Sequence, residues 1–444
     1  MIKRVLIANR GEIALRLIRA LREMNMESVA VYSTADRNSL FAVTATQSIC
    51  IGPAKAEESY LNQDLCIDIA RRMDCDAIHP GYGFLSENAD FARKCEEAGL
   101  IFIGPSWQII RDMGDKQSAK ELMIRHGVPV VPGSDGLIRS EEEALTEAAR
   151  IGYPLIIKAA AGGGGKGMRV VRKQSELLPE LKSAAAEAKA AFGNGAVYLE
   201  KYIEGPRHIE IQLLADHYGN IIHLGERNCS IQRRHQKLLE EAPAWGLSEK
   251  LREEMGEAAV RAAAACGYDS AGTVEFILDR DGHYYFMEMN TRIQVEHPVT
   301  EMLTGVDLVR EQIAIAGGRR LSLTQEEVSC RGHVIECRIN ARGTGTVQVL
   351  HFPEGFGVRT ESALFEGCEI THFYDALLAK IIVTDRTRLE AIRRMRRCLE
   401  ELVIEGVPTN AGQIYRILQH PAFVSGTYDT SFWESYGESL DDNW

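Results

Sequence analysis

The stretch TVEFILDRDGHYYFMEMNTRIQVEH, residues 273–297, holds the densest group of candidate functional side chains in the sequence. Residues 273–278 and 284–289 predict two strands, and the Asp-Arg-Asp-Gly between them is typical of a hairpin turn. Glu275 and Glu288 would then lie side by side, and Glu288 and Asn290 share one face because strand side chains alternate. Carboxylate and amide oxygens suit a Mg²⁺ ion that bridges phosphates. The stretch therefore predicts a metal site, although carboxylates paired with basic surface residues would also explain the hairpin alone.

A glycine tract precedes this hairpin in the chain. Residues 155–158 predict an apolar strand that ends at Lys158, residues 162–165 are all glycine, and residues 168–171 predict a second strand. Glycines let backbone N–H groups approach phosphate oxygens closely, so a phosphate-covering hairpin is favoured over a flexible linker. The tract is not a Walker A loop, because Gly167 follows Lys166 where Ser or Thr is required. An unpaired ammonium on a buried strand is costly, which predicts an anionic partner for Lys158.

Two further motifs are weaker when taken alone. Residues 232–237, Gln-Arg-Arg-His-Gln-Lys, are either a solvated charge run or the fixed cations that an enzyme acting on a triphosphate needs. The Gly- and Pro-rich residues 79–88 follow a predicted strand, where α/β sheets place ligands. A tight turn at that position would need no function.

The remaining pattern indicates how the motifs are organised. Residues 1–110 alternate short apolar strands with amphipathic helices, which predicts a parallel sheet with helices on both faces. The first strand–helix turn lacks G-x-G-x-x-G, so no dinucleotide site is predicted. From residue 115 the pattern becomes mixed α+β, and from about residue 333 β-rich segments precede a helix at residues 388–402.

Composition argues against several classes of protein. A length of 444 residues suggests about two to four domains, and a net charge of −12 argues against a nucleic-acid-binding surface. None of the ten cysteines forms a CxxC pair, so neither a zinc site nor a disulfide framework is expected. No apolar run approaches the ~20 residues of a membrane span, and the run at residues 5–8 is too short for a signal peptide. We expect a cytoplasmic enzyme with no nucleic-acid or membrane partner.

Taken together and in order, the motifs resemble those of the biotin carboxylase family over nearly the whole chain. The matching segments are residues 7–14 (IANRGEIA), 79–88, 114–116, the glycine tract, 226–243, 288–300, 336–341 (ECRINA) and 406–410. The resemblance implies a combined α/β and α+β architecture, the ATP-grasp fold. A Rossmann-like pre-ATP-grasp domain would span residues 1–113, an ATP-grasp domain residues 114–325 with a mobile lid at about 131–203, and a β-rich C-terminal domain residues 330–440.

The resemblance also implies a role for individual residues. The expected ATP-binding residues are Lys116, Lys158, Gly164, Gly165, Glu200, Lys201, Ile203, His208, Gln232, His235, Glu275 and Glu288. Mg²⁺ or Mn²⁺ would be held by Glu275, Glu288 and Asn290, and bicarbonate by Lys237, Arg292, Gln294 and Val295. Glu296 resembles the general base, and Arg338 the group that stabilises the biotin enolate, with Tyr82 also on the biotin side. The catalytic set would be Lys237, Arg292, Glu296 and Arg338.

The reaction implied by the family is ATP- and bicarbonate-dependent carboxylation of biotin through carboxyphosphate. The sequence has no Met-Lys dipeptide, the usual carrier motif, so biotin is expected on a separate biotin carboxyl carrier protein. Carboxyltransferase subunits are the further partners, in acetyl-CoA carboxylase or in an enzyme acting on another acyl-CoA or pyruvate. A homodimer is expected through the helix that carries Arg19 and Glu23. Two alternatives remain: another carboxy- or carbamoyl-phosphate-forming ATP-grasp ligase, and a non-catalytic regulatory homologue.

The sequence departs from the family pattern at a few positions. Ala161 and Lys166 stand where Gly and Arg are usual, and Trp245 replaces a proline. After Ala341 the chain is about seven residues shorter than usual, a change that loops tolerate at modest entropic cost. Because the gap lies just after Arg338, we expect an intact fold with weakened handling of biotin.

Overall fold

The computed structural model of the chain describes residues 2–159, 168–192, 194–234 and 236–440. These residues divide into two compact units. The first comprises residues 1–128, 207–277 and 288–444, and the second residues 129–206 and 278–287. The second unit includes the residues expected to form the lid.

The N-terminal part of the first unit is a parallel sheet with a helical layer on each face. Its elements are β1 (Arg4–Ile7), α1 (Gly11–Glu23), β2 (Glu27–Tyr32), α2 (Leu40–Thr44), β3 (Gln47–Cys50), α3 (Gln63–Arg72), β4 (Ala77–His79), α4 (Ala89–Glu97), β5 (Ile101–Phe102), α5 (Trp107–Gly114) and α6 (Lys116–Arg125). The strand order is β3-β2-β1-β4-β5, and every pair is parallel. Val5 and Ile7 pack into one apolar cluster while Leu6 and Ala8 pack into another, which explains why β1 is apolar throughout.

The second unit packs two helices against an antiparallel sheet. Its elements are α7 (Glu141–Ile151), β6 (Leu155–Ala159), β7 (Arg169–Val171), α8 (Gln174–Phe192) and β8 (Val197–Lys201). The strand order is β7-β6-β8, and alternate residues such as Leu155, Ile157 and Leu199 enter the core. The predicted strands on both sides of the glycine tract are confirmed. The tract itself lies outside the described residues.

The rest of the first unit is built on a large sheet that runs into the C-terminal part of the chain. The remaining strands are β9 (Arg207–Ala215), β10 (Ile221–Arg233), β11 (Gln236–Ala242), β12 (Ala271–Leu278), β13 (Tyr284–Asn290), β14 (His333–Asn340), β15 (Gly345–Thr346), β16 (Val349–His351), β17 (Val358–Ser362), β18 (Glu369–Ile370), β19 (Leu377–Asp385) and β20 (Val403–Glu405). The remaining helices are α9 (Glu249–Ala265), α10 (His297–Thr304), α11 (Leu308–Ala316), α12 (Arg388–Glu401), α13 (Ala411–Gln419), α14 (Pro421–Ser425) and α15 (Phe432–Leu440). Among the described residues the sheet has the order β13-β12-β9-β10-β11-β14-β19-β17.

The two faces of this sheet differ in chemistry. Ile335, Cys337 and Ile339 of β14 pack into an apolar cluster with α12 and α13. Glu336 and Arg338 alternate with them and therefore face the other way, toward the side on which α10 packs against β10, β11, β14 and β19. Glu240, Glu336 and Arg338, which are described below, lie on this second, polar face.

Candidate active site

Lys237 of β11 is the cation at the centre of a group of buried carboxylates. Its Nζ lies 2.8 Å from Glu296 Oε1 and 3.1 Å from Glu275 Oε1, and it also donates to Glu210. Burial alone would lower the pKa of Lys237, but the three carboxylates hold the pKa well above its usual value. Lys237 is therefore a fixed positive charge, held where three strands and the 291–296 segment meet.

Glu275 of β12 accepts hydrogen bonds from several sides. Asn290 Nδ2 donates to its Oε1 at 2.9 Å, Gln294 Nε2 donates to the same oxygen at 3.0 Å, and His208 Nε2 lies 3.0 Å from Oε2. Burial disfavours the charged carboxylate, but Lys237 and His208 outweigh it and hold the pKa of Glu275 well below its usual value. The same contact acts on the imidazole: burial lowers the pKa of His208, whereas Glu275 and Glu210 raise it to about 9.

The predicted hairpin of residues 273–289 is confirmed, since β12 and β13 are adjacent strands. Glu288 is partly exposed, and Lys116 Nζ lies 3.2 Å from its Oε2. The amide of Asn290 is held on both sides, because its Nδ2 donates to Glu275 and its Oδ1 accepts from Arg292 Nη2 at 2.9 Å. The carboxylates offer the oxygen ligands that Mg²⁺ prefers. Asn290 would have to turn its amide over to offer its oxygen beside Glu275.

The segment from Thr291 to Glu296 is fixed by its own side chains and by a neighbouring loop. Arg292 donates to Glu87 Oε2 at 2.9 Å and to Gln294 Oε1 at 2.8 Å. Glu87 belongs to the Gly- and Pro-rich loop of residues 79–88, so two motifs that are remote in sequence meet at Arg292. The segment ends where α10 begins at His297 with Pro298 in its first turn, a position that favours helix initiation.

Glu296 is buried between two cations. Its Oε1 accepts from Lys237 Nζ at 2.8 Å and its Oε2 from Arg338 Nη2 at 2.8 Å. Burial and Glu210 raise the pKa of Glu296, but Lys237 and Arg338 oppose them and the net pKa is lowered. Arg338 also donates from Nε to Glu240 Oε1 at 2.7 Å. Glu296 is therefore an ionised carboxylate in a closed network, as a general base must be before it accepts a proton.

A group of buried residues that sequence reasoning missed connects this network to Tyr82. Lys380 of β19 lies directly opposite Arg338 on β14. Its Nζ donates to the Val295 carbonyl at 2.8 Å and lies 2.9 Å from Glu12 Oε1, which also accepts from the Tyr82 hydroxyl. The sequence feature that could have identified Lys380 is its position as the one lysine within the apolar run of residues 377–383. Lys158 was identified by the same kind of feature.

The other predicted nucleotide residues are distributed over both units. In the first unit, Gln232 Nε2 lies 2.9 Å from His208 Nδ1. In the second unit, Lys158 Nζ lies 2.5 Å from Glu200 Oε2, and Lys201 Nζ donates to the Tyr153 carbonyl at 2.9 Å. The expected anionic partner of Lys158 is thus Glu200. Ile203 lies two residues after the end of β8, while Gly164, Gly165 and His235 lie outside the described residues.

Comparison with known proteins identifies the family. Three family profiles match consecutive parts of the chain: biotin carboxylase N-terminal domain at residues 1–110, carbamoyl-phosphate synthase L chain ATP binding domain at 115–324, and biotin carboxylase C-terminal domain at 336–435. Biotin carboxylase 1 of Bacillus subtilis is 56% identical over 445 aligned residues, which cover 98% of this chain and 99% of the relative. The chain belongs to the biotin carboxylase family. It is accordingly an ATP-dependent ligase that carboxylates biotin, and the fold expected from the motifs is confirmed.

Solved structures and a second relative show the range of proteins that this chain resembles. The biotin carboxylase domain of a thermophilic 2-oxoglutarate carboxylase bound to bicarbonate is 48% identical with a TM-score of 0.96, and the match covers 100% of both chains. The corresponding Hydrogenobacter thermophilus domain dimer, in complex with MgADP, ADP and bicarbonate, is 49% identical with a TM-score of 0.91, again with 100% coverage of both. A pyruvate carboxylase subunit of Methanothermobacter thermautotrophicus is 49% identical over 99% of this chain and 91% of the relative. No helix among the described residues is long and apolar enough to cross a membrane.

Proposed function

We propose that Glu296 is the general base of this enzyme and that Lys237, Arg292, Gln294 and Val295 bind bicarbonate beside it. The observation that carries the proposal is the pairing of Glu296 with both Lys237 and Arg338, each at 2.8 Å. Those cations keep the carboxylate ionised in a buried position, ready to take the proton of bicarbonate. Bicarbonate is a poor nucleophile, so orientation by Arg292 and the Val295 amide supplies part of the catalysis.

Attack of the deprotonated bicarbonate on the γ-phosphate of ATP forms carboxyphosphate and ADP. We assign nucleotide binding to Lys116, His208, Gln232, His235, Glu275 and Glu288 of the first unit and to Lys158, Gly164, Gly165, Glu200, Lys201 and Ile203 of the second. Mg²⁺ would be held by Glu275 and Glu288 with Asn290, and when bound it would neutralise charge on the phosphates. Support for the metal comes from the ionised state of Glu275 and from the partly exposed carboxylate of Glu288.

Carboxyphosphate decomposes to CO₂ and phosphate, and biotin then loses its ureido proton to the phosphate. We propose that Arg338 stabilises the resulting oxyanion and that Tyr82 lines the biotin side. Support comes from the contacts of Tyr82 with Glu12 and of Glu12 with Lys380, which lies directly opposite Arg338 on the neighbouring strand. Lys380 also donates to the Val295 carbonyl and Arg338 to Glu296, so both proposed biotin residues are linked to the segment proposed to bind bicarbonate.

We further propose that the biotin is carried on a separate biotin carboxyl carrier protein and that the final acceptor, reached through carboxyltransferase subunits, is acetyl-CoA. Pyruvate is the second candidate, because relatives of comparable identity include one from a pyruvate carboxylase. Reconstitution of the purified chain with carrier and carboxyltransferase components of either kind distinguishes them. Transfer of labelled carboxyl from bicarbonate to acetyl-CoA supports the first acceptor, and transfer only to pyruvate rejects it.

The direct test of the proposed chemistry is ATP cleavage with and without bicarbonate and with and without biotin. A biotin carboxylase requires bicarbonate for cleavage and responds to biotin. A ligase that forms carboxyphosphate for another acceptor would show the bicarbonate dependence alone. A regulatory homologue would bind ATP without cleaving it.

A further inference from the structure

Two buried glutamates face each other on the polar side of the large sheet. Glu240 of β11 and Glu336 of β14 are register partners in an antiparallel pair, which places their Cβ atoms about 4.5–5.5 Å apart. Neither residue has exposed surface. The same face continues into an apolar cluster that includes Ala242, Val334 and Ile382. Two carboxyl groups therefore share one environment from which water is excluded.

The hydrogen bonds of this pair are incomplete if both groups are ionised. Glu240 Oε1 accepts from Arg338 Nε at 2.7 Å. Glu240 Oε2 and both carboxyl oxygens of Glu336 have no hydrogen-bond donor among the described residues. A buried carboxylate without donors is costly, whereas a neutral carboxylic acid brings its own O–H and can donate to the carboxylate opposite. One proton on Glu336 would remove the repulsion and supply a donor for Glu240 Oε2.

The charged groups around Glu336 come from several elements. They are Arg338 on its own strand, Lys380 on β19, Glu296 before α10, and Glu12 of α1 with the Tyr82 hydroxyl beside it, while Lys237 on β11 acts on the Glu240 side of the pair. Burial outweighs the attraction of Lys380 and Arg338 and raises the pKa of Glu336 well above its usual value. Burial likewise raises the pKa of Glu240 to about 7 despite Arg338. The electrostatics therefore agree with the hydrogen-bond geometry.

We propose that Glu240 and Glu336 share one proton at neutral pH and that Glu336, in its neutral form, is a positioning residue for Arg338. The inference rests on the role proposed above for Arg338 as the oxyanion stabiliser. With the proton in place, Arg338 faces two carboxylates, Glu240 and Glu296. When the proton is lost to solvent, a third negative charge appears beside the guanidinium and opposes the oxyanion that forms on biotin. Loss of this proton would limit biotin carboxylation at high pH.

The pH profile of Glu336→Gln tests this role, because glutamine resembles the neutral acid permanently. We expect carboxylation of free biotin by the variant to persist about one pH unit or more above the alkaline midpoint of the wild type. Bicarbonate-dependent ATP cleavage without biotin should shift less than biotin carboxylation, because the charge of Glu336 is proposed to act mainly through Arg338. If biotin carboxylation by the wild type and by Glu336→Gln falls at the same alkaline pH, the proposal is overturned.

Infrared spectroscopy tests the proton itself, independently of activity and of the role of Arg338. At neutral pH the wild type should show the carbonyl band of a protonated carboxylic acid, and Glu336→Gln should lose it. A wild-type spectrum without the band, or a band that survives in the variant, would reject the shared proton. If instead the band behaves as expected but Arg338→Gln leaves biotin carboxylation intact, the proposed role of Arg338 fails and the proton assignment stands. Glu336→Met, an apolar replacement of similar length, gives the same spectroscopic test if the glutamine variant does not fold.

The dependence of folding stability on pH is a further test, and β11 offers a matched control residue for it. A carboxyl group whose pKa is raised by folding stabilises the protein at low pH, and this contribution is lost as pH rises through the raised value. The wild type should therefore lose stability as pH rises from the ordinary glutamate value up to the raised one, and Glu336→Gln should not. Glu241, next to Glu240 but on the opposite face, has its pKa lowered to about 2 through His333 and Arg388 against the effect of burial. Glu241→Gln should be less stable overall yet retain this pH-dependent loss, and a loss equal in wild type and Glu336→Gln would contradict the proposal.

Discussion

Arg338 Nη2 donates a hydrogen bond of 2.8 Å to Glu296 Oε2, so the residue proposed to stabilise the biotin oxyanion and the residue proposed to deprotonate bicarbonate form one ion pair. The second oxygen of Glu296 is held by Lys237 at the same distance. In the proposed mechanism, bicarbonate deprotonation and biotin carboxylation therefore depend on side chains that are in direct contact. A change at either residue leaves a buried partner uncompensated.

Replacement of the base should separate chemistry from nucleotide binding. We expect Glu296→Ala to lose bicarbonate-dependent ATP cleavage by roughly 10²–10⁴-fold, the range for removal of a general base, while ATP binding measured by calorimetry survives. Glu301→Gln is the matched control, since it removes a buried carboxylate from α10 that pairs with Arg16 and Arg359 instead. Loss of folding in Glu296→Ala alone, seen by circular dichroism, would assign Glu296 a structural role.

The metal assignment predicts different effects for the two strands of the hairpin. Glu288→Gln should abolish turnover because a ligand of Mg²⁺ loses its charge, and Glu275→Gln should raise the Mg²⁺ concentration needed for activity. ATP cleavage measured over a Mg²⁺ titration gives both effects. Asp281→Asn, which removes an exposed carboxylate from the turn of the same hairpin, should behave as wild type. ATP cleavage by Glu288→Gln equal to wild type at limiting Mg²⁺ would exclude this assignment.

Assembly can be predicted from one exposed face of the first unit. Arg19 and Glu23 of α1 have side chains 50% and 63% exposed, and β17, which packs against α1, follows a loop in which Phe356 is 91% exposed. We expect this apolar side chain to be covered in the dimer. We expect sedimentation to show a homodimer of the 49.3 kDa chain.

Substitution of Phe356 tests whether this face forms the dimer. Phe356→Ser should shift the equilibrium toward monomer, whereas Ile124→Ser, at a residue 57% exposed on α6, should not. A single species of monomer mass at micromolar wild-type protein would refute the homodimer.

The shortened segment after Ala341 should affect biotin rather than ATP. The Arg342 amide donates to the Pro408 carbonyl at 2.8 Å, and Asn410 Nδ2 donates to the Arg338 carbonyl at 3.0 Å, so the short turn is tied to the strand that carries Arg338. A shift of ~1 Å at a catalytic group can cost ~10²-fold. We therefore expect near-normal nucleotide binding and ATP hydrolysis that free biotin stimulates poorly.

A graft tests this expectation. The longer family segment, inserted between Ala341 and Gly345, should raise the stimulation by biotin, and a Gly/Ser insert of equal length separates the effect of length from that of sequence. If the wild type already matches long-segment relatives in biotin-stimulated turnover, the deletion is neutral.

The sequence predicted what depends on local pattern and missed what depends on long-range burial. The first apolar strand, predicted at residues 5–8 and found at Arg4–Ile7, and the hairpin of residues 273–289 could be predicted because their periodicity and turn chemistry are local. The buried group that the sequence missed comes from four separate elements, so no local pattern could bring its members together: Glu12, Glu240, Glu336 and Lys380. In β14, Glu336 and Arg338 alternate with apolar residues, a pattern usually read as one face in water. Here α10 covers that face, and only the fold reveals that the polar residues are buried.

The central claim, that bicarbonate attacks ATP to form carboxyphosphate in this site, is tested most directly by oxygen transfer. Bicarbonate labelled with ¹⁸O is supplied with unlabelled ATP, and the phosphate released is analysed by mass spectrometry. The proposed mechanism predicts that each phosphate carries one oxygen from bicarbonate, and that Glu296→Ala forms such phosphate in proportion to its residual activity. Phosphate that carries oxygen only from water would contradict the mechanism.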